Sequence, residues 1–579
     1  MQQDIFRAIN QHARERADAI AVANYDEPVA YTWREYLQAV HHVRAQLAKA
    51  DIVAGDRVAL LTVNRAEFFI LDTALLSAGA IPVSIYHTSA PGQIAATMRH
   101  CGAKLLIAEP QFIPLAKAVQ ELPDCPATHF AILDTTVDPA RTDTGWPRID
   151  PMPATSAREP EPLVESLHDA SVLTLVYTSG SGGESKAVPL LSRAVVSNAR
   201  AMATAFADSK RGVVICYLPL SHTGGRFNSY YMTLLRGDQV VCVPDYGRTL
   251  DAHKQHAPSW FFAVPRIWEK ILDEAMAIVR ASANLSECFE RNLRWIRSFT
   301  DAGHAVPFRQ ALDAGRFVPL TQVRQALGLQ NVDWAGVATA PSGRDMLESM
   351  MALGIELYDG WGMTECLYAT ANPPGAVKIG TVGKPLPGMR IEIATDGEIL
   401  VSGGSVYPGY FGAPQSADGA PAQPLYTGDL GAFDADGYLR ITGRKKEIII
   451  NSAGKNMVPA NIEMAFAGRS PLIERLIVVG DARPYNVALV QIAPEAYRAW
   501  RQQDPAGEPD TAALERLRAA LQPAIEAGNR MLSRVEQIKK WMPVFDQWEP
   551  GGLELTPTLK LRRANVLNRY AALIERLYA

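Results

Sequence analysis

Short apolar runs rich in β-branched residues recur along the first half of the chain, separated by longer stretches with helical periodicity. Runs of this kind begin at Arg57, Ile81, Lys104, Val213 and Gln239. Continuous apolar runs of this length are typical of buried strands, and their alternation with helical stretches indicates stacked layers of both element types. The pattern therefore predicts an α/β fold.

The longest apolar stretch covers residues 68–85 and is interrupted by Asp72, Gly79 and Pro82. These interruptions predict a buried helix that leads into a strand, and they argue against a bilayer span. Residues 271–325 have a helical pattern and are predicted to form an insertion. After Tyr426 close-set turns precede a predicted strand at 447–451, so a domain boundary is expected near residues 444–447.

Length and composition indicate a large folded protein with a small ligand. The 579 residues are 48% hydrophobic, which is enough to build large cores and predicts two or more domains. The formal net charge is −4, so neither nucleic acid nor an anionic membrane is expected as the main partner.

The cysteines and the N-terminal residues indicate the cellular compartment of the protein. Six cysteines are scattered without a CxxC pair, which predicts reduced core residues and neither a zinc site nor a disulfide framework. The N-terminus lacks a basic region followed by an apolar one, so no signal peptide is predicted. We therefore expect a cytoplasmic protein with no integral membrane segment.

Residues 177–186 form a loop rich in glycine and hydroxyl groups that ends in a lysine. Backbone N–H groups in such a loop can surround anionic oxygens, and Lys186 adds a mobile positive charge. A Walker loop is excluded because Ser185 and Ala187 stand where glycine and a hydroxyl residue are required. Taken alone, a flexible hairpin is the simpler interpretation, and the phosphate-binding interpretation depends on other segments.

Further segments carry candidate chemistry. In residues 358–365, which follow an apolar strand pattern at 354–357, glycines admit a planar ring, Trp361 can stack on it, and Glu365 can hold magnesium. Asp429 can accept two ribose hydroxyls, and Arg444 can contact ribose or phosphate. His222 follows a strand, and residues 555–563 are basic. Each segment alone fits a plain turn, a structural histidine or a solvated charge run.

In combination and order, these segments resemble the adenylate-forming superfamily of acyl-CoA synthetases, adenylation domains and luciferases. The resemblance covers nearly the whole chain and is strongest to the long-chain fatty-acyl-CoA synthetase branch. The segments that carry it are residues 218–222 with Arg226, 263–270, 444–448, 454–456 and 555–561.

The resemblance implies a large multi-subdomain N-terminal domain with the ATP and acyl sites, residues 1–444, and a mobile α+β C-terminal domain, residues 445–579. A hinge at Lys446 would join them. The implied reaction has two steps: a carboxylate attacks the α-phosphorus of MgATP, and the thiol of CoA then displaces AMP from the acyl adenylate. ATP, Mg²⁺ and CoA are thus the expected cofactor and co-substrates, and the acid is expected to be of medium or long chain, or bulky and hydrophobic.

The site residues follow from the same resemblance. The implied ATP contacts are Thr178, Ser179, Gly180, Ser181, Gly182, Gly183, Lys186, Ala340, Gly360, Trp361, Thr364, Asp429 and Arg444. The implied catalytic residues are Lys560, His222, Thr364 and Glu365, with Glu365 and Ser181 at the metal. Lys560 would bridge the attacking carboxylate and the α-phosphate, and His222 would border the acyl carboxylate. Gly454, Lys455 and Asn456 would form the thiolation face.

Departures from the family pattern leave alternatives open. Gly182 and Ser185 replace a usual threonine and proline, which predicts a more flexible phosphate loop, and Gly225 replaces a frequent carboxylate, which predicts a wider acyl tunnel. The adenylate could instead pass to the phosphopantetheine arm of an acyl carrier protein, or the enzyme could specialise in one half-reaction of a biosynthetic pathway. A non-catalytic nucleotide-binding module is the alternative from another class.

Overall fold

The computed structural model describes residues 4–126, 129–134, 144–152, 160–164, 167–179, 185–206, 210–413, 424–452, 455–503, 510–549, 551–556 and 561–579. The chain divides into two compact units. The first comprises Met1–Ile391 and Val401–Leu425, and the second Glu392–Leu400 and Tyr426–Ala579. The strands Met389–Ile393 and Glu398–Gly403 are divided between the units. The limits 1–444 and 445–579, and the hinge, remain predictions.

The larger sheet of the first unit has nine strands within the described residues. In spatial order they are Lys384–Pro385, Leu367–Ala371, Leu357–Met363, Trp334–Val337, Trp260–Ala263, Val213–Cys216, Gln239–Cys242, Ile20–Asn24 and Ala30–Thr32. The central pairs are parallel, and the pairs at both edges are antiparallel. The sheet confirms the predicted α/β class.

A second sheet lies near the N-terminus of the sequence. Its described strands, all parallel, are Ile81–Ser84, Arg57–Leu61, Ala103–Ala108, His129–Leu133 and Arg148–Ile149. A separate antiparallel pair, Val172–Ser179 and Ser185–Leu191, flanks the predicted phosphate loop. The strands predicted from apolar runs are confirmed, and so is the helix-then-strand interpretation of residues 68–85, where helix Ala66–Ser77 precedes Ile81–Ser84.

Helices cover the sheets of the first unit. The described α-helices are Ile5–Glu15, Trp33–Lys49, Ala66–Ser77, Pro91–Cys101, Ile113–Gln120, Ser192–Ala205, Thr223–Gly225, Met232–Arg236, Thr249–His256, Pro265–Arg280, Ala283–Thr300, Phe308–Asp313, Thr321–Ala326 and Arg344–Ala352. Short 3₁₀ turns occupy Pro110–Phe112, Tyr246–Arg248 and Val318–Leu320. The helical pattern predicted for residues 271–325 is confirmed. None of the helices in the described ranges is both long and apolar enough to cross a bilayer.

A π-helical segment, Arg226–Tyr231, follows the short helix Thr223–Gly225 in the first unit. Arg226 is fully buried and forms an ion pair with Asp72, which is also fully buried, on helix Ala66–Ser77. The guanidinium also donates to the Ser84 hydroxyl at 2.8 Å and to the Leu220 carbonyl at 3.3 Å. Because a buried charge is costly without partners, this pair ties the π-helical segment firmly to the adjoining helix and strand.

The second unit is α+β in its described residues. A hairpin of Leu425–Phe433 and Leu439–Arg444 precedes a short hairpin of Ile449–Ile450 and Asn456–Met457. A three-stranded sheet then follows, formed by Ile473–Val479, Asn486–Ile492 and Ile538–Val544. Its helices are Pro459–Met464, Pro494–Arg501, Asp510–Arg530, Arg563–Arg569 and Ala571–Tyr578.

The middle strand of that sheet, Asn486–Ile492, is buried on both faces. Helix Asp510–Arg530 packs on one face, and the two C-terminal helices pack on the other. The strand predicted at 447–451 forms only at Ile449–Ile450.

Candidate active site

The turn that carries Thr364 and Glu365 joins two antiparallel strands, Leu357–Met363 and Leu367–Ala371. The predicted strand at 354–357 is wrong in its limits, because the strand begins at Leu357 and runs through the glycine-containing motif itself. A Cβ atom at Gly362 would lie 1.9 Å from the Leu367 carbonyl oxygen. The glycine is therefore needed for the two strands to approach each other.

Glu365 is held at both its side chain and its backbone. Its Oε1 accepts a hydrogen bond from the Tyr410 hydroxyl at 2.9 Å, and its carbonyl oxygen accepts one from the Tyr407 N–H at 2.8 Å. The residue is 6% exposed. Lys186 of the predicted phosphate loop also reaches this place, because its Nζ lies 4.6 Å from the centre of the Tyr410 ring. The structure thus brings Lys186 and Glu365 together on Tyr410, a residue that the sequence analysis missed.

Tyr407 and Tyr410 flank Pro408 and Gly409 in the sequence. This pair of tyrosines around a Pro-Gly turn is the local sequence feature that could have indicated a contact with Glu365. Burial, followed by the negative charge of Glu365, raises the pKa of Tyr410 far above its ordinary value. The phenol therefore stays protonated and acts as a hydrogen-bond donor.

Thr364 connects the turn to the segment of His222. The Thr223 hydroxyl donates to Thr364 Oγ1 at 2.9 Å. His222 caps the helix Thr223–Gly225, since its Nδ1 accepts the Gly224 N–H at 3.0 Å. This bond assigns the proton of the neutral imidazole to Nε2. The side chain is therefore suited to donate a hydrogen bond to an anion.

Gly225 does not widen a tunnel as predicted. A Cβ atom at this position would lie 2.5 Å from the carbonyl oxygens of both Leu218 and Pro219. The space beside Gly225 is therefore filled by backbone. The glycine lets the short helix pack closely against the preceding residues 218–219.

The predicted adenine wall includes Gly360, Trp361 and Ala340. Trp361 is 8% exposed, whereas Ala340 is exposed on the loop after strand Trp334–Val337. Thr339, next to Ala340, has φ of 80°, a left-handed conformation that is strained for a β-branched residue. Asp359 adjoins Gly360, and burial raises the pKa of its carboxyl to about 7.

Asp429 and Arg444 lie within the second unit. They occupy opposed positions of the hairpin, and Arg444 Nε is 2.8 Å from Asp429 Oδ1. The Asp429 N–H donates to Thr427 Oγ1 at 3.1 Å, which fixes the backbone at the carboxylate. The structure therefore pairs the two residues predicted to contact ribose.

The predicted hinge and thiolation face also belong to the second unit. Lys446 is exposed and follows Lys445, whose ammonium lies 2.6 Å from Asp396 Oδ2 and 2.9 Å from Glu398 Oε2. Lys455 and Asn456 are exposed, and the Lys455 N–H donates to Asn451 Oδ1 at 2.8 Å.

Several predicted site residues lie outside the described residues. They are Gly180, Ser181, Gly182, Gly183, Gly454 and Lys560. The side chain of Ser179 is likewise not described, whereas Thr178 Oγ1 lies 3.4 Å from the Lys186 carbonyl oxygen across the strand pair.

The metal prediction can be tested against the donor set. Among the described residues, no group of three or more His, Cys, Asp or Glu side chains is arranged to hold a metal ion. Mg²⁺ in nucleotide sites is typically bound by one or two carboxylates together with substrate phosphates. The single buried carboxylate of Glu365 therefore fits Mg²⁺ that enters with a nucleotide.

Comparison with known proteins identifies relatives over nearly the whole chain. The AMP-binding enzyme family matches residues 9–411, and its AMP-binding enzyme C-terminal domain matches residues 446–579. A putative fatty-acid–CoA ligase of Mycobacterium tuberculosis, fadD11, is 35% identical over 70% of this chain and 74% of its own length. A long-chain-fatty-acid–CoA ligase of Mycobacterium bovis, FadD15, is 32% identical over 98% of this chain and 96% of its own.

Solved structures show the same fold. The anthranilate–CoA ligase AuaEII, solved in complex with anthranoyl-AMP, aligns with a TM-score of 0.72 over 99% of this chain and 98% of its own. The sequence identity is 19%. This likeness confirms the predicted combination of a large α/β part and a smaller C-terminal part.

Proposed function

The chain belongs to the AMP-binding enzyme family, and from this premise we propose that it is an AMP-forming ligase that joins a hydrophobic carboxylic acid to the thiol of CoA. The observation that carries the proposal is the convergence of Lys186 and Glu365 on Tyr410. A mobile cation and a buried carboxylate at one place are the groups that a triphosphate and its magnesium ion require. The names of the similar ligases support a fatty acid as the substrate class.

The first step demands that two anions meet in line. An oxygen of the acid forms a bond to the α-phosphorus of ATP, while the bond from that phosphorus to the oxygen of pyrophosphate breaks. Such a reaction depends mostly on positioning and on electrostatic stabilisation. Mg²⁺, when bound, neutralises phosphate charge, and Glu365 is the residue that would hold it, together with Ser181.

Thr364 and His222 have separate tasks at this step. Thr364 Oγ1 accepts a hydrogen bond from the Thr223 hydroxyl. The O–H of Thr364 can therefore donate to an oxygen of the α-phosphate. His222 presents Nε2–H, which orients the carboxylate of the acid and acts as a donor rather than as a base. Lys560 supplies the charge between the carboxylate and the α-phosphate.

The remaining nucleotide contacts come from the other predicted residues. Lys186 and the loop 178–183 bind the β- and γ-phosphates, Gly360, Trp361 and Ala340 border the adenine, and Asp429 and Arg444 hold the ribose. In the second step the sulfur of CoA bonds to the acyl carbon, the bond to AMP breaks, and the thiol proton passes to solvent. Rotation at Lys446 would bring Gly454, Lys455 and Asn456 into use for this step.

The test is pyrophosphate release against short, long, aromatic and terpenoid acids, with and without CoA. We expect acid-dependent ATP/pyrophosphate exchange without CoA, and turnover with CoA, for hydrophobic acids. Consumption of the adenylate by a holo carrier protein, but not by CoA, would contradict the proposed acceptor. The absence of exchange with any acid would favour a nucleotide-binding module.

A further inference from the structure

Tyr410 contacts two groups of opposite charge that do not contact each other. Lys186 Nζ lies over its ring at 4.6 Å, and its hydroxyl donates to Glu365 at 2.9 Å. Both charged residues are described, and no ion pair within 4.0 Å joins them. A direct pair would be attractive in this partly buried place, and it would occupy the lone pairs and protons that a metal and phosphates need.

The segment around Tyr410 forms backbone hydrogen bonds both with the turn of Glu365 and with the strand of Lys186. The Tyr407 N–H donates to the Glu365 carbonyl at 2.8 Å, and the Phe411 N–H donates to the Ala187 carbonyl at 2.9 Å. The Tyr407 ring also packs edge-on against Tyr410, with 5.1 Å between ring centres. Residues 407–411 therefore fix the distance between the lysine strand and the glutamate turn.

We propose that Tyr410 is a positioning residue that keeps Lys186 and Glu365 apart and oriented, so that each can receive its share of MgATP. The proposal rests on the proposed function of this site. The aromatic ring supports the ammonium through a cation–π contact, which phosphate oxygens can replace. The hydroxyl holds one carboxylate oxygen and leaves the second oxygen to a metal ion.

Two variants separate these contributions. Tyr410→Phe removes the hydroxyl, with its hydrogen bonds to Glu365 and Tyr407, and keeps the ring beneath Lys186. Tyr410→Leu removes both the hydroxyl and the ring. For Tyr410→Phe we expect the Mg²⁺ concentration at half-maximal pyrophosphate exchange to rise about tenfold, which is typical for loss of a hydrogen bond to a charged group. The KM for ATP at saturating Mg²⁺ should change less than about twofold. For Tyr410→Leu, the KM for ATP should also rise about tenfold.

Tyr497→Phe, on helix Pro494–Arg501, serves as the matched control and should change neither quantity. A direct binding measurement accompanies the kinetics: Mn²⁺ is titrated by electron paramagnetic resonance in the presence of a non-hydrolysable ATP analogue. We expect weaker Mn²⁺ binding in Tyr410→Phe. This readout separates the role of Tyr410 from the proposed function, which is tested on the wild-type protein by acid-dependent exchange and by turnover with CoA.

Two results would overturn the positioning role. One is a lower kcat and a lower melting temperature in Tyr410→Phe with unchanged metal dependence, which would indicate support of the fold alone. The other is tighter Mn²⁺ binding in that variant, which would show that the hydroxyl competes with the metal. Since Tyr410→Phe removes a single oxygen atom, it decides the question even if Tyr410→Leu does not fold.

Discussion

Arg444 Nε lies 2.8 Å from Asp429 Oδ1, and the two residues face each other across an antiparallel hairpin. The Asp429 side chain is 6% exposed, whereas the Arg444 side chain is 57% exposed. Because water screens the solvated guanidinium, we expect this pair to contribute about 1 kcal/mol or less to stability. Nucleotide binding, and not folding, is therefore the property that we expect this pair to control.

Asp429→Asn should weaken ATP binding at least tenfold, because an amide is a poorer acceptor for two ribose hydroxyls than a carboxylate. The free energy of unfolding should change by less than about 1 kcal/mol. Calorimetric titration with ATP and urea denaturation measure the two quantities. Asp510→Asn, which disturbs the exposed Arg501–Asp510 pair, is the control. Equal losses of ATP affinity in both variants would contradict the role of Asp429.

His222 caps a helix through Nδ1, and in the proposed function its Nε2–H donates to the acid. Two replacements separate these roles. His222→Asn retains an acceptor for the Gly224 N–H, whereas His222→Ala loses it and should destabilise the protein by about 1 kcal/mol. Both remove Nε2–H, so both should raise the KM for the acid about tenfold. Steady-state kinetics with thermal melts check this. Wild-type kinetics in His222→Asn would show that the imidazole serves only as a cap.

The left-handed backbone of Thr339 should lower the free energy of unfolding of the first unit. Replacement by glycine removes a left-handed β-branched residue, and we expect a gain of about 1 kcal/mol after allowance for the greater freedom of glycine when unfolded. Thr339→Ala is the matched control, because alanine retains most of the strain. Urea denaturation of both variants measures the difference. A gain of equal size for both would exclude backbone strain as the cause.

Glu356 should make stability depend on pH. Burial raises its pKa to about 7, while its oxygens accept bonds from the Tyr358 hydroxyl at 2.8 Å and the Gly375 N–H at 2.9 Å. Arg309 Nε lies 3.7 Å from Glu356 Oε2, and its positive charge opposes the rise in the pKa of Glu356. Because the pKa of Glu356 rises on folding, its protonated carboxyl adds to the free energy of unfolding. This contribution is complete below about pH 4 and is lost as the pH rises to 7.

Glu356→Gln should therefore flatten the fall in unfolding free energy between about pH 4 and pH 7, by up to about 3 kcal/mol. Denaturation at several pH values tests this expectation. Burial also raises the pKa of Asp359 to about 7, so addition of Asp359→Asn should flatten the profile further. Parallel profiles of the wild type and Glu356→Gln would contradict the shift.

Lys560→Ala should abolish acid-dependent ATP/pyrophosphate exchange and leave the thiolation of a supplied acyl adenylate largely intact. In the proposed mechanism its ammonium would offset the repulsion between the carboxylate and the α-phosphate, and this repulsion arises only in the first step. Lys539→Ala, an exposed lysine of the same unit, is the control and should retain both steps. Equal loss of both steps in Lys560→Ala would refute the assignment.

Local sequence patterns predicted those elements whose burial is uniform along the chain. Strand Val213–Cys216 is a continuous apolar run because it is packed between neighbouring strands and helices, and it was predicted correctly. Strand Leu357–Met363 was misplaced because Asp359, Gly360 and Gly362 interrupt its apolar pattern. This strand forms through pairing with segments on either side, which no local pattern contains.

The same limit applies to the candidate site. The resemblance to a family predicts roles for Glu365 and Lys186, but Tyr410, which contacts both, lies 45 residues beyond Glu365. Neither periodicity nor spacing encodes such a contact. The effect of Gly225 on a tunnel could not be predicted from the sequence either. A glycine leaves space only where no backbone packs against it, and here the backbone of residues 218–219 fills that space.

The double attachment of Glu365 to Tyr407 and Tyr410 also sets an order of events during synthesis. A nascent chain presents the motif at residues 358–365 well before residues 407–410 leave the ribosome. Until then the glutamate lacks both its hydroxyl donor and its backbone donor. The turn acquires its final geometry only after this later segment has emerged, so a chain released prematurely before Tyr407 would carry the motif without its support.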